Sequence, residues 1–168
     1  MKNINTPYDD VYRTILTDAS DLILPVINEV FGTKFTGDER IELLQNESPY
    51  ESDDGSVEKR ITDSYMKVYD HGKPRYFHIE CQSSEDGNMI LRIFEYDSLI
   101  ARRYATINNA DMDVYYPESA LMALRSTDRT PNKMKITIHT PGNGELSYNV
   151  PILKVKQYWY LFYMASET

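Results

Sequence analysis

The feature that most constrains the fold is a pair of strand-like segments around a tight turn in the middle of the chain. Residues 58–69 and 75–82 flank a turn segment that contains His71, Gly72 and Pro74. This pattern predicts an antiparallel hairpin. If the turn centres between His71 and Gly72, the position numbers of facing residues add up to 143, because antiparallel partners keep a constant index sum.

Because side chains alternate along a strand, this register gives the hairpin two different faces. One face is polar and carries Ile61, Asp63, Tyr65, Lys67, Tyr76, His78, Glu80 and Gln82. The other is much more apolar and carries Thr62, Ser64, Met66, Val68, Arg75, Phe77, Ile79 and Cys81. We expect the apolar face to pack on helices and the polar face to gather a polar cluster.

Two acids oppose each other on the polar face. Asp63 and Glu80 would have Cβ atoms about 5 Å apart, where like charges repel unless a shared proton or a hard cation such as Mg²⁺ neutralises them. Gln82 projects from the same face and could orient water or a phosphate oxygen. Together these residues predict a metal-dependent phosphodiester site. On spacing alone, a solvated polar sheet face with an incidental acidic pair is the simpler interpretation.

Periodicity assigns the rest of the chain to helices and short strands. Helices are predicted at residues 6–17, 21–31 and 88–104, strands at 39–44, 113–116, 119–125, 134–139 and 146–154, and a polar surface loop at 46–58. The last two strands flank the turn Pro141-Gly142-Asn143-Gly144 and form a C-terminal hairpin. This order predicts one α/β domain over residues 1–168, with a mixed sheet flanked by helices.

Composition excludes several classes of protein. The chain has 168 residues, 18 basic against 26 acidic side chains and a net charge of −8, which argues against a broad basic surface for coating nucleic acid. A single cysteine, Cys81, excludes an internal disulfide and a thiolate zinc cluster. No apolar run approaches the roughly 20 residues that cross a bilayer, and the first residues lack a secretory signal. We expect a cytoplasmic protein without a membrane partner.

Four segments, in this order, resemble one family of nucleases. They are residues 7–13 (PYDDVYR), 60–63 (RITD), 78–82 (HIECQ) and 92–96 (RIFEY). Asp63 followed by residues 80–82 resembles the D…(D/E)-x-K signature of PD-(D/E)XK nucleases, in the variant with glutamine in place of lysine. More narrowly, the four segments resemble the Rpn family of recombination-promoting nucleases, also described as PD-(D/E)XK nuclease family transposases, over about residues 7 to 155.

The resemblance implies a Mg²⁺-dependent DNA endonuclease, with Mn²⁺ as a substitute, and a restriction-endonuclease-like core. That core is a helix, a three-stranded meander, a second helix and a further strand. By the same resemblance, Asp63 and Glu80 become the metal ligands, with the Cys81 backbone carbonyl as a third. Gln82 takes the place of the lysine.

Other candidate residues have plainer alternatives. Asp9 matches the acidic residue of the family's first helix, and it also fits an N-terminal capping box. Arg92 matches the arginine on the helix after the site, where it would bind a phosphate or make an ordinary surface contact. Lys67 could replace the missing lysine, although a surface lysine is the plainer interpretation. His78 is interpreted as a polar neighbour of the acids, and Cys81 as a small buried hydrophobe on the opposite face.

Two departures from the family leave a second function open. Gln82 cannot carry the positive charge of a lysine, and relatives usually continue into a helical extension that this sequence lacks. The alternative is a catalytically inactive relative that binds nucleic acid or a protein partner. A carboxylate-based hydrolase that uses a shared proton is a third, weaker option. Residues 158–163 (YWYLFY) are a candidate association surface, which leaves a homo-oligomer open.

Overall fold

The computed structural model describes residues 20–44, 47–51, 57–61, 64–82 and 87–157. Within these ranges the chain forms a mixed six-stranded sheet with helices packed against it, so the predicted α/β class is confirmed. The predicted helix 6–17 with Asp9, the acid Asp63 and the aromatic segment 158–163 lie outside the described residues.

The described helices and strands follow the predicted order closely. The helices are α1 (Ser20–Phe31) and α2 (Met89–Arg103). The strands are β1 (Ile41–Leu43), β2 (Glu47–Glu51), β3 (Val57–Ile61), β4 (Ser64–Asp70), β5 (Lys73–Gln82), β6 (Thr106–Asn108), β7 (Asp111–Asp113), β8 (Glu118–Ala123), β9 (Lys133–Thr140) and β10 (Gly144–Lys154). Gly32, with a φ of 64°, follows the end of α1. At 12 and 15 residues, both described helices fall short of the length and apolar content that spanning a bilayer requires.

The main sheet has the strand order β1-β4-β5-β8-β10-β9. β1, β4 and β5 are antiparallel neighbours, whereas β8 runs parallel to both β5 and β10. β9 returns antiparallel to β10 as the predicted C-terminal hairpin. Because two parallel strands need a crossover connection, α2 lies between β5 and β8 in the chain. This crossover places α2 on one face of the sheet.

The central hairpin has the predicted register. Tyr65 pairs with His78 and Ser64 with Ile79, so facing positions add up to 143 along the described ladder. His71 and Gly72 have φ values of 48° and 81°, the two positive values that a two-residue type I′ turn requires. The turn therefore determines which residues of β4 and β5 lie on each face.

Two predictions about strands are wrong. The predicted loop 46–58 contains β2, which pairs with β3 in a separate two-stranded sheet. The described parts of the predicted strand 58–69 are β3 and β4. The strand predicted at 113–116 is instead the short hairpin β6–β7, which ends at Asp113. In both small sheets a neighbouring segment satisfies the backbone hydrogen bonds locally, so a polar, acidic composition does not prevent a strand.

The sheet separates two apolar layers. On the hairpin, Met66, Val68, Phe77 and Ile79 are at most 1% exposed and pack with α1, as the alternation predicts. On the opposite side, α2 packs in a second layer of Met89, Ile93, Leu121, Ile136 and Val150. α1 and α2 therefore pack on opposite faces of the main sheet.

Candidate functional site

The polar face of the central hairpin lies beneath α2. We expected helices on the apolar face alone, but Tyr65 is 2% exposed and His78 and Glu80 are completely buried. Tyr96 and Asp97 of α2 are buried with them. Because water is excluded from these side chains, the interpretation of this part of the hairpin as a solvated polar face is wrong.

Three ionisable side chains form a continuous set of hydrogen bonds between α2 and β5. Asp97 Oδ1 lies 2.7 Å from His78 Nδ1, and His78 Nε2 lies 3.0 Å from Glu80 Oε1. None of the three has any solvent exposure. His78 and Glu80 share a face of β5 because they are two residues apart, and Asp97 reaches the ring from the helix. We call these three residues the buried cluster.

Asp97 is anchored by the sheet as well as by the histidine. Ser119 Oγ in β8 donates to Oδ1 at 2.6 Å, and the Tyr148 hydroxyl in β10 donates to Oδ2 at 3.2 Å. Burial and the charge of Asp97 raise the pKa of Tyr148 above its ordinary value, so the phenol remains a donor. Both carboxylate oxygens of Asp97 are therefore satisfied.

His78 carries a positive charge at neutral pH. Complete burial alone would lower its pKa, but the hydrogen bonds to Asp97 and Glu80 and the charges of both acids outweigh burial and raise the pKa to about 9. Nδ1–H then donates to Asp97 and Nε2–H donates to Glu80. Tyr96 packs edge-on against the imidazole, with 5.9 Å between ring centres. The ring is thus held by two carboxylates and one aromatic contact.

Arg92, near the start of α2, contacts the second oxygen of Glu80. Its Nη2 atom lies 3.4 Å from Glu80 Oε2, and its side chain is 35% exposed. The guanidinium also lies 5.9 Å from the centre of the Tyr96 ring. One oxygen of Glu80 therefore meets the buried histidine, while the other meets a cation that reaches the surface. The structure brings the predicted candidate Arg92 next to Glu80.

Gln82 ends β5, two residues beyond Glu80. Its backbone carbonyl accepts a hydrogen bond from the Leu124 N–H at 2.9 Å, which continues the pairing with β8. Its side-chain Nε2 is buried, and no described residue accepts a hydrogen bond from it. Buried polar groups nearly always have a partner, so this amide needs an acceptor such as water or a phosphate oxygen.

Two other predicted residues are placed away from the buried cluster. Lys67 Nζ contacts Glu42 Oε2 and the Tyr69 hydroxyl, each at 3.0 Å. The hydrogen bonds to Tyr69 and Glu42 raise the pKa of Lys67. The structure therefore does not bring Lys67 to Glu80. The Cys81 side chain packs against the apolar layer beneath α1, on the opposite face from Glu80, as its position in the strand predicts.

The described residues include one of the two acids predicted to bind Mg²⁺. Within this part of the chain, no three histidine, cysteine or acidic side chains are arranged to hold a metal ion. The carboxylate of Glu80 nevertheless fits a hard cation, because Mg²⁺ takes oxygen ligands, whereas the buried N–H of the neighbouring Gln82 calls for an oxygen acceptor. Asp63 and Asp9, which complete the predicted site, lie outside the described residues.

Asp97, Ser119 and Tyr148 were not among the site residues predicted from the sequence. Asp97 did carry a signal, because it lies on the same side of α2 as the buried residues Ile93 and Ile100. An acid on the apolar side of an amphipathic helix implies a buried charge that needs a partner. Ser119 and Tyr148 carried no such signal, since their contacts depend on the order of strands in the sheet.

Comparison with known proteins supplies no relative. Neither a protein-family model, nor a curated protein, nor a solved structure matches the chain. The function proposed below therefore rests on the residues of this chain and on their geometry.

Proposed function

We propose that this chain is a metal-dependent endonuclease that cleaves DNA, built on a restriction-endonuclease-like PD-(D/E)XK core and associated with recombination or transposition. The topology supports the proposal. In the main sheet, α1 precedes the antiparallel neighbours β1, β4 and β5, and α2 then leads to the parallel strand β8. This is the order of helix, meander, helix and strand that the family resemblance implies.

The observation that carries the proposal is the setting of Glu80. This carboxylate is completely buried near the end of β5, with His78 on one oxygen and Arg92 on the other. Burying a charged group costs several kcal/mol. Buried ionisable groups with specific partners are concentrated at functional sites, and Glu80 is also the acid that the sequence motif selects.

In this proposal, Asp63 and Glu80 hold Mg²⁺, or Mn²⁺ in its place, with the Cys81 carbonyl as a third ligand. Asp63 directly precedes β4 in the chain, and Asp9 is assigned to a further water or ion near the site. When bound, the divalent ion supplies Lewis acidity that neutralises charge on a phosphate and acidifies water.

Two side chains are assigned to the DNA rather than to the metal. Gln82 donates its buried amide N–H to water or to a phosphate oxygen, which satisfies the donor that no described residue accepts. Arg92 binds a phosphate next to the cleaved bond, because its side chain is 35% exposed and its guanidinium borders Glu80. Lys67 is left out of the proposed site because it is held by Glu42.

Cleavage of a supercoiled plasmid in Mg²⁺ or Mn²⁺ tests the proposal. We expect D63N and E80Q each to slow cleavage by about 1,000-fold, or about 4 kcal/mol, because each removes a charged ligand. E145Q is the matched control, since it neutralises an exposed acid on β10. Cleavage by D63N and E80Q at the rate of E145Q would show that neither acid holds a catalytic metal.

One observation favours a second candidate function, a catalytically inactive relative that binds nucleic acid or a protein. Glu80 has two cationic partners, His78 and Arg92, so protein groups already balance its charge. In addition, Gln82 cannot supply the positive charge of a lysine. Titration calorimetry separates the two functions. Binding of Mn²⁺ that is lost in E80Q supports the endonuclease, whereas a parent protein that binds no Mn²⁺ at millimolar concentration supports the inactive relative.

A further inference from the structure

The buried cluster joins β5 to α2 through ionisable side chains that have no solvent exposure. Two carboxylates flank the imidazole ring of His78, and Arg92 contacts the second of them at Glu80 Oε2. Mutual attraction repays the cost of burying ions only if the geometry is good and the remaining hydrogen bonds are satisfied. Asp97 meets this condition, because its two oxygens receive hydrogen bonds from three side chains.

Asp97 determines the orientation of the His78 ring. Its other two hydrogen bonds come from Ser119 in β8 and Tyr148 in β10, and these strands are hydrogen-bonded neighbours in the main sheet. The sheet therefore holds the carboxylate, and the carboxylate holds Nδ1 of the ring at 2.7 Å. With Nδ1 held and Tyr96 packed against the ring, Nε2 is aimed at Glu80.

We propose that Asp97 and His78 are positioning residues for Glu80, which hold its Oε1 beside the imidazole so that Oε2 is directed toward Arg92. This inference rests on the proposed function, because it makes Oε2 the oxygen that Glu80 presents to a divalent cation. His78 acts through its hydrogen bond to Glu80, and Asp97 acts through His78. Neither side chain contacts DNA or the cation.

The size of the effect follows from the behaviour of metal ligands in general. A ligating carboxylate is itself held by hydrogen bonds, and loss of such an outer partner typically costs about 10- to 100-fold in metal affinity or activity. Asp97 is two hydrogen bonds from Glu80 Oε1, so its effect passes through the orientation of the imidazole. A purely structural role would instead lower stability and leave metal affinity unchanged.

Calorimetric titration of the full chain with Mn²⁺, in the absence of DNA, tests the inference. We expect D97N to weaken Mn²⁺ binding by about 10- to 100-fold, because the contact that fixes the orientation of the His78 ring is changed. Y148F removes one hydrogen bond from Asp97 and should weaken binding by about 3- to 10-fold. Y116F is the matched control, because the hydroxyl of Tyr116 bonds Ser98 instead of Asp97.

A conservative double variant and a kinetic measurement separate positioning from structure. In H78Q/D97N, the amide introduced at 97 can donate to the amide oxygen at 78, whose nitrogen can in turn donate to Glu80. We therefore expect this variant to bind Mn²⁺ more tightly than D97N alone. For plasmid cleavage, D97N should lower kcat and leave KM for DNA unchanged, because Asp97 does not contact the substrate.

The outcomes distinguish this inference from the proposed function. If the parent binds Mn²⁺ and both D97N and Y148F bind it as tightly, the positioning role is refuted while the metal site stands. If the parent binds no Mn²⁺, the proposed function fails and this inference fails with it. If D97N does not fold, Y148F against Y116F decides the question, since Tyr148 is partly exposed and both variants keep the aromatic ring.

Discussion

The buried His78 makes the stability of the metal-free protein depend on pH between neutrality and about 9. In the unfolded chain its pKa has the ordinary value of 6.5, whereas in the folded protein the pKa is about 9 because of Asp97 and Glu80. The folded state therefore binds a proton more tightly than the unfolded state. The resulting stabilisation is fully present below pH 6.5 and is lost as the pH rises through 9.

The magnitude follows from the difference between the two pKa values. At about 1.4 kcal/mol for each pH unit, the raised pKa of His78 corresponds to about 3 kcal/mol of unfolding free energy. This is a large part of the roughly 5–15 kcal/mol that stabilises an ordinary domain. We expect about half of the loss to have occurred by pH 8, midway between the two values.

Urea unfolding in EDTA, at constant ionic strength and at steps from pH 6 to pH 9.5, measures this loss. The upper limit stays below the ordinary pKa of tyrosine, because burial raises the pKa values of Tyr65 and Tyr148 and adds a separate loss at higher pH. H71N, which removes a fully exposed histidine, should reproduce the parent profile. E80Q/D97N, which removes both charges around the ring, should abolish the fall. A parent profile that is flat over this range would refute the charge assignment of His78.

Two further predictions concern the turn and the surface cation. In urea unfolding, G72A should lower the free energy of unfolding by about 1 kcal/mol, because Gly72 has a φ of 81° in the type I′ turn. The control is G87A, which should not show this loss, because Gly87 has no positive φ and nothing lies near the added Cβ. If Arg92 binds a phosphate, R92A should reduce the slope of log Kd for DNA against log salt concentration by about 1, whereas R92K should leave the slope unchanged. An unchanged slope in R92A would show that the charge of Arg92 does not contact the DNA.

The register of β4 and β5 could be predicted because it depends on local chemistry. A histidine–glycine turn between two alternating segments leaves one compatible pairing, and the observed pair Tyr65–His78 obeys it. The position of Cys81 beneath α1 followed from the same alternation. Asp63 lies one residue beyond the described ladder, so its position opposite Glu80 stays a prediction.

The burial of Glu80 could not be predicted in the same way. It depends on where α2 docks, and that position follows from the parallel pairing of β5 with β8, which has no local signature in the sequence. For the same reason His78 was interpreted as a polar neighbour of the acids, although it is the centre of the buried cluster. Of the three residues in the buried cluster, only Asp97 has a sequence position that indicates burial, since an acid on the apolar side of a helix requires a buried partner.

We expect the buried cluster to add little to the free energy of unfolding compared with apolar side chains in the same positions. Replacing the cluster with apolar residues tests this expectation. The layer beside it is already apolar, with Met89, Ile93 and Leu121 packed between α2 and the sheet. Apolar replacement of an entire buried ionic group is often neutral or stabilising by about 1–4 kcal/mol, whereas removal of one partner costs about 3–5 kcal/mol because a charge stays buried and unpaired.

We therefore expect the variant H78L/E80L/D97V/S119A to unfold in urea with a free energy equal to or above that of the parent, and D97V alone to lose about 3–5 kcal/mol. S119A belongs in the set because Ser119 is buried and would lose its acceptor at Asp97. If the fourfold variant is as unstable as D97V, the cluster is needed for the fold, and its polar character needs no functional explanation. If it is stable and binds no Mn²⁺, the charges serve the site around Glu80, because nothing in the stability of the chain requires them.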